Sequence, residues 1–493
     1  MKKSEKMYDA ITDIRDDLVE RAEAHRPRRR RWWPAAVAAV LVVAIVGGVV
    51  LWPGGAETSG GVAAEPGDTP ADAVTQRPGN SYTAALAYAV AAAEYPEMAQ
   101  YPEENGDYSA WWQGVQAQQR PEGYADGLEG FFTESVQEFL SGAGDENRVY
   151  SPVNVYMALA MLAELTDGNS RQQILNLLGS GSMKAVRKQA SDVWNANYCD
   201  DGLTTSVLAS SVWLNENVSY VQETMDTLAE VYYASSYQGE MGSEEFNKAL
   251  QDWLNQQTGG LLEEQAGQIE MNANTILALA TTIYFRAQWA DEFSENRTQP
   301  DVFHANTGDV KCDFMHRSDV QAYYWGDRFS AVALNLQNAG NMWLILPDEG
   351  VGVDDLLRDE QTMEFLLSDG EWDNNEFLQV NLSVPKFDVV SQLDLIGGLK
   401  ALGVTDVFDW GVSDFSPMTR DVDGLYVSKA QHDARVTIDE KGCTAAAYTV
   451  IAVDAGGFLP PEEEIDFVLD RPFLFAITGA DGVPLFVGVV NQP

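Results

Sequence analysis

Four runs in the second half of this chain, TILALATTIYF (275–285), AVALNLQ (331–337), MWLILP (342–347) and PLFVGVV (484–490), are uncharged and rich in Val, Ile, Leu and aromatic side chains. Short apolar runs of this kind, without a helical stripe, predict strands buried in a large sheet. The preceding part of the chain is patterned differently. Phe131, Phe132, Val136, Phe139 and Leu140 share one helical face, and so do Val155, Leu159 and Leu162. Ser170 is placed to cap a further helix that carries Ile174, Leu175 and Leu178 and closes at Gly179. Helices first and strands later predict an α+β fold. A length of 493 residues fits one large domain with appendages, or two domains.

Charge excludes some partners. The formal net charge is −44; residues 1–33 hold ten Lys/Arg against seven Asp/Glu, so the remainder holds 21 against 68, or −47. Such a surface repels phosphate backbones and anionic headgroups, so no nucleic acid is expected to bind the main body. Cys199, Cys312 and Cys443 are an odd number at wide spacings and suggest neither a disulfide framework nor a zinc site. The chain has four histidines and no G-x-S-x-G elbow, H-E-x-x-H pair or phosphate-binding Gly-rich loop. His304 and His316 fall in loop-like sequence, and His432 lies in strand-like sequence where a core role is expected. No enzyme activity, cofactor or metal is therefore predicted.

The N-terminus is organised in blocks. Residues 1–33 form a basic segment with Met7, Ile11, Ile14 and Leu18 spaced as on a short amphipathic helix. From Ala35 to Trp52 the chain is uncharged and apolar, with Arg28–Arg31 before it and Trp32, Trp33 and Trp52 at its margins. Residues 34–52 accordingly predict a single transmembrane helix, N-terminus cytoplasmic and body outside the cell. Export with cleavage of the leader is the alternative. Residues 53–80 contain ten Gly or Pro in 28 and read as a flexible linker. Residues 81–125 are an extension with one predicted helix, Tyr82–Tyr95, and 126–493 form the main domain.

One stretch stands apart. IDEKGCTAAAYTVIAVDAGGFLPP (438–461) is β-prone, and beyond Lys441 its single charge is Asp454. Together with NRVYSPVNVYMALAMLAELTDGNSRQQILNLLG, TTIYFRAQWADEF, DVFHANTGDVKCDFM, LSVPKFDV, LYVSKAQHDARVTIDEKGCTAAA and DRPFLFAI, in this order, it resembles a serpin from about Gly127 to Pro493. The resemblance implies three β-sheets, about nine helices and an exposed reactive-centre loop. It further implies a suicide inhibitor, expected to be monomeric: an extracellular serine protease cleaves the loop, forms a covalent acyl complex, and is carried off as the freed loop inserts into the main sheet.

Residue roles follow from the same resemblance. Glu440, Gly442, Cys443, Thr444, Ala445, Ala446 and Ala447 match the loop hinge; Ser151, Asn154, Thr281 and His432 match the polar gate beneath the sheet, the shutter; Trp289 matches the aromatic residue of the breach, where insertion begins. The usual Ser and Asn of the gate stand exchanged here as Asn154 and Thr281, with a similar hydrogen-bond inventory. Family spacing from Glu440 places the reactive bond at Gly456-Gly457; counting back from Pro472 gives Phe458-Leu459. Independently of the family, strand alternation gives this loop an inward set of Cys443, Ala445, Ala447, Thr449, Ile451 and Val453, all uncharged, while Tyr448 and Asp454 fall outward. Small residues near the first bond suit elastase-like proteases and Phe458 suits chymotrypsin-like ones. No Arg or Lys lies between Gly442 and Leu459, which disfavours trypsin-like targets.

Overall fold

The computed structural model describes residues 39–48, 85–102, 108–117, 123–337, 339–442 and 463–493. The described strands form two sheets. The first runs in the order β13 (Asp388–Asp394), β14 (Val427–Thr437), β1 (Ala39–Gly48), β7 (Thr275–Arg286), β5 (Thr205–Asn215), β6 (Ala234–Gly239) and β2 (Ala89–Ala91), with β4 (Cys199–Asp200) beside β5. The second runs β15 (Glu464–Val468), β12 (Asn375–Pro385), β9 (Gly308–Trp325), β10 (Phe329–Asn335), β11 (Asn341–Pro347), β16 (Phe473–Thr478), β17 (Pro484–Val490) and β3 (Arg148–Tyr150), with β8 (Gln299–Ala305) beside β9.

The α+β reading holds, with two differences in detail. Two sheets stand where three were expected, because β9 is 18 residues long and joins what would otherwise be separate sheets. It pairs with β8 and β12 along most of its length and with β10 through Tyr323–Trp325. The described residues also contain eleven α-helices, not about nine. Two of these, Glu263–Gly267 and Val353–Leu357, have only five residues, too few to carry the apolar periodicity by which a helix is read from sequence.

The four apolar runs all lie in strands, within β7, β10, β11 and β17 and their immediate ends. Helix Pro152–Leu165 starts with Ser151 as N-cap, its side chain accepting from the Asn154 amide, and is buried along its entire length. A helix apolar all round belongs inside a core, and this one packs against β7 and β17. Helix Gly168–Leu177 begins two residues before Ser170, with Asp167 as N-cap. Ser170 Oγ instead accepts from the Asp414 amide at 3.2 Å, tying the helix to a distant loop. His304 and His316 lie in β8 and β9, not in loops.

The N-terminal expectations need larger correction. Ala39–Gly48 is a strand, not part of a transmembrane helix, and no described helix is long and apolar enough to cross a membrane. The physical reason lies in its composition. Uncharged apolar sequence fits both a bilayer helix and a central strand, since a strand hydrogen-bonded on both sides also satisfies its backbone without water. Val40, Val42, Val43, Ile45 and Val46 are β-branched, which favours the extended form. The amphipathic helix of residues 1–33 and the linker of 53–80 lie outside the described residues.

The helix predicted for Tyr82–Tyr95 is also replaced. Ala85–Tyr88 is a single 3-10 turn and Ala89–Ala91 is β2, paired with β6 at the margin of the sheet. Helix propensity in the Ala-rich stretch yields there to the hydrogen-bonding edge of β6 and to aromatic packing. Tyr88 meets Phe246 at 4.9 Å between ring centroids, and Tyr95 meets Trp194 at 5.1 Å. Further along, Trp111 donates from Nε1 to Asp201 at 2.9 Å. The extension thus covers a sheet edge.

Candidate functional site

The site is built where β7 and β14 approach the start of the loop. β14 ends at Thr437, and a tight turn follows in which the Asp439 amide donates to the Gly442 carbonyl at 2.7 Å. The Lys441 amide donates to Asp439 Oδ1 at 2.8 Å, an Asx turn that presets the bend. Gly442 has φ +127°, and a Cβ there would lie 2.7 Å from the Ala287 carbonyl oxygen, so only glycine fits. Ala287–Phe293, the segment leaving β7, grips this turn. Phe293 donates from its amide to the Glu440 carbonyl at 2.8 Å, and Trp289 does so to the Lys441 carbonyl at 3.2 Å.

Trp289 is fully buried, and its indole Nε1 donates to the Asp439 carbonyl at 2.8 Å. Its side chain thus spans from the β7 side of the sheet to the β14 side. Glu440 is buried as well. It pairs with Lys386 Nζ at 2.7 Å and accepts from Thr298 Oγ1 at 2.6 Å. Burial alone would raise its carboxyl, but these donors outweigh it and hold Glu440 below the usual carboxylate value. Burial pushes the neighbouring Asp439 the other way, upward. The hinge is therefore clamped by one carboxylate that favours its charge and strained by one that does not.

Between β7 and β14 lies β1. It is antiparallel to both, and Val43 stands in register with Thr281 on one side and His432 on the other. Thr281 and His432 are thus two strand spacings apart, roughly 10 Å. The expected four-residue gate is only partly assembled. The Ser151 amide donates to His432 Nε2 at 3.1 Å, and Ser151 Oγ accepts from the Asn154 amide at 3.3 Å. Among the described residues, buried Asn154 Nδ2, Thr281 Oγ1 and His432 Nδ1 have no hydrogen-bond partner. The exchanged Asn154 and Thr281 therefore make no network with each other in this arrangement. His432 is fully buried against the Tyr150 ring, centroids 5.1 Å apart, and burial holds it well below the ordinary histidine value. Accepting from the Ser151 amide is consistent with that neutral form.

Of the hinge residues, Glu440 and Gly442 are placed as above; Cys443, Thr444, Ala445, Ala446, Ala447, both bond positions and the inward-facing set lie outside the described residues. Cys199 is buried, its thiol donating to the Thr204 carbonyl at 3.6 Å; burial, with Asp313 and Asp301 nearby, pushes Cys312 up to about 11. Sequence reading missed the partners of Glu440. Lys386 sits in the quoted run LSVPKFDV, but nothing in the spacing joins it to a glutamate 54 positions later. Thr298 carries no sequence signal at all.

Known proteins share this architecture. A family model described as serpin (serine protease inhibitor) matches residues 127–493. Serpin-ZX of Arabidopsis thaliana is 29% identical over 364 residues, covering 71% of this chain and 93% of the relative. Leukocyte elastase inhibitor of Sus scrofa is 31% identical over 365 residues, covering 70% and 93%. The native-state crystal structure of the thermophilic serpin tengpin aligns with TM-score 0.66 at 22% identity, over 81% of this chain and 98% of that one, a likeness of fold. With these matches spanning the whole body that carries the hinge and the sheet, the chain belongs to the serpin family of serine protease inhibitors.

Proposed function

We propose that the protein is a suicide inhibitor of extracellular serine proteases with elastase-like or chymotrypsin-like specificity. One observation carries the reading: the first sheet accepts a strand between β7 and β14, antiparallel to both. A chain that leaves β14 through the Asp439–Gly442 turn and folds back runs in that same direction. The stretch from Cys443 to Val453 has a face of small and apolar side chains suited to burial and carries no Pro and no charge. Cleavage at Gly456-Gly457, or at Phe458-Leu459, frees that stretch to insert while the protease is held as an acyl complex. The relative named leukocyte elastase inhibitor supports the protease class.

The body works outside the cell. The basic Arg28–Arg31 before an apolar stretch supports export with the N-terminus inward. Tethering through residues 34–52 requires Ala39–Gly48 to leave the sheet; secretion after leader cleavage removes it altogether.

The test is incubation with pancreatic elastase and with chymotrypsin. An SDS-stable band of summed mass is expected, absent for Ala445→Arg, and mass spectrometry of the released peptide identifies the bond. Clean cleavage without any adduct by both proteases would instead identify a non-inhibitory, substrate-like binding module.

A further inference from the structure

Eleven of the chain's methionines lie among the described residues, and nine of them are at most 4% exposed. Met98 and Met183 are the two half-buried ones, so a dissolved oxidant reaches these first. Met183 opens the helix Met183–Asn197 on the body. Met98 sits in the N-terminal extension, outside the family-matched residues 127–493. Its sulfur has a structural task there, since Sδ accepts from the Asp200 amide at 3.2 Å. The bond belongs to a compact fastening. Gln100 Nε2 donates to the Met98 carbonyl at 3.1 Å and to the Asp200 carbonyl at 2.8 Å, and the Tyr101 amide donates to the Asp201 carbonyl at 2.5 Å. The Pro96 carbonyl accepts from the Tyr198 hydroxyl at 3.2 Å. Hydrogen bonds thus hold residues 96–101 against Tyr198–Asp201, while none of these six residues is itself buried. A segment fastened by partly exposed bonds with little apolar burial opens locally at low cost.

We propose that Met98 is an oxidation site, a latch through which a peroxide-class oxidant releases residues 96–101 from the body. The thioether lone pair attacks a peroxide oxygen and the O–O bond breaks. Sulfur is oxidised by two electrons to the sulfoxide, and the departing hydroxide collects the proton of the transferred oxygen to become water. Oxygen added on the lone pair that faces Asp200 comes between donor and acceptor. Because an amide keeps about 2.9–3.0 Å from an oxygen acceptor, the sulfur must then retreat by about one bond length. Oxygen added on the other lone pair draws electron density from a sulfur that is already a weak acceptor. Either way the bond to the Asp200 amide is lost, and a polar, chiral group replaces an apolar one at a half-buried position. Gln100 and Tyr101 are drawn off with Met98, being two and three residues further along the same segment. Reductases that act on methionine sulfoxide reverse the change, so the latch resets. It works without loop cleavage and without a protease.

The experiment exposes the full chain to hydrogen peroxide. Peptide mapping by mass spectrometry should show Met98 and Met183 gaining one oxygen at least tenfold faster than the nine buried methionines. Hydrogen exchange of the amides of 97–101 should then rise at least tenfold in the wild type and equally in M183L. In M98L, whose leucine fills a similar volume but has no sulfur, peroxide should leave exchange at that variant's own untreated level. Treating the oxidised wild type with methionine sulfoxide reductases should restore slow exchange. Unchanged exchange of 97–101 with Met98 fully oxidised, a peroxide-induced rise of the same size in M98L, or oxidation of Met98 no faster than that of the buried methionines would each overturn the proposal. The wild type before and after oxidation gives the decisive comparison even if M98L folds poorly.

Discussion

Trp289 and Asp439 are joined by a hydrogen bond from the indole Nε1 to the main-chain carbonyl, 2.8 Å long, that ties the end of β7 to the turn leaving β14. The bond is buried and lies at the root of the loop. Replacing Trp289 by Phe keeps an aromatic ring but leaves that carbonyl with only the longer bond from the Gly442 amide, at 3.4 Å. A loss of about 1–3 kcal/mol in stability is expected, read as a lower urea midpoint at unchanged slope. Faster cleavage by a nonspecific protease within residues 438–442 should accompany it.

The two carboxylates of the turn should respond oppositely to pH. Glu440 is held below the usual carboxylate value, so its contribution is full above the unfolded value and lost as pH falls through the folded one. Glu440→Gln therefore costs about 1.5–3 kcal/mol at pH 7, and the deficit shrinks in acid. Burial raises Asp439, so its charged form is a burden once pH exceeds the folded value. Asp439→Asn keeps an oxygen to accept from the Lys441 amide and should stabilise at pH 7, with the gain disappearing in acid. Denaturant melts of both variants at pH 7 and pH 4 check the signs.

His432 should add a separate acid sensitivity. Its folded value lies well below the ordinary one because burial disfavours the imidazolium. Its contribution is full above the unfolded value near 6.5 and is lost progressively as pH falls from there toward the folded value. His432→Gln, which retains an acceptor for the Ser151 amide but does not titrate, should flatten the stability profile below about pH 6.5. An unchanged profile would show that the acid response arises elsewhere.

Away from the hinge, Glu164 is buried on helix Pro152–Leu165 and depends on its partners. Arg187 reaches Oε2 through Nε at 2.8 Å and pairs with Oε1 through Nη2, while Tyr232 OH donates to Oε2 at 3.1 Å. Arg187→Met removes the bidentate partner and leaves a buried carboxylate with a single described donor. Because Arg187 is itself half exposed, about 2 kcal/mol is expected. Glu164→Gln with Arg187→Met should recover part of the loss, as a double-mutant cycle would measure.

Legibility differed by region for physical reasons. The strands at 275–286, 329–335, 341–347 and 484–490 and the helix at 152–165 were readable because each buries its own apolar pattern, and pattern is local. Their order carried the family resemblance and with it the hinge, Trp289 and the gate residues. Local pattern did not reveal the single-turn helices or the joining of two sheets through β9, since neither leaves a periodic trace. The partners of Glu440 were equally silent: Lys386 and Thr298 come from connecting segments far away in sequence.

Sequence by itself determined that Ala39–Gly48 is uncharged, apolar and β-branched, and that Cys443–Val453 alternates so as to bury one face. Those properties state what each segment requires, namely a water-free place in which every backbone group is paired. Which place satisfies that need was decided only in three dimensions. β7 and β14 offer two parallel hydrogen-bonding edges one strand apart, and the occupant between them is the N-terminal segment. Burial and pairing are properties of neighbours, and neighbours are chosen by the tertiary structure.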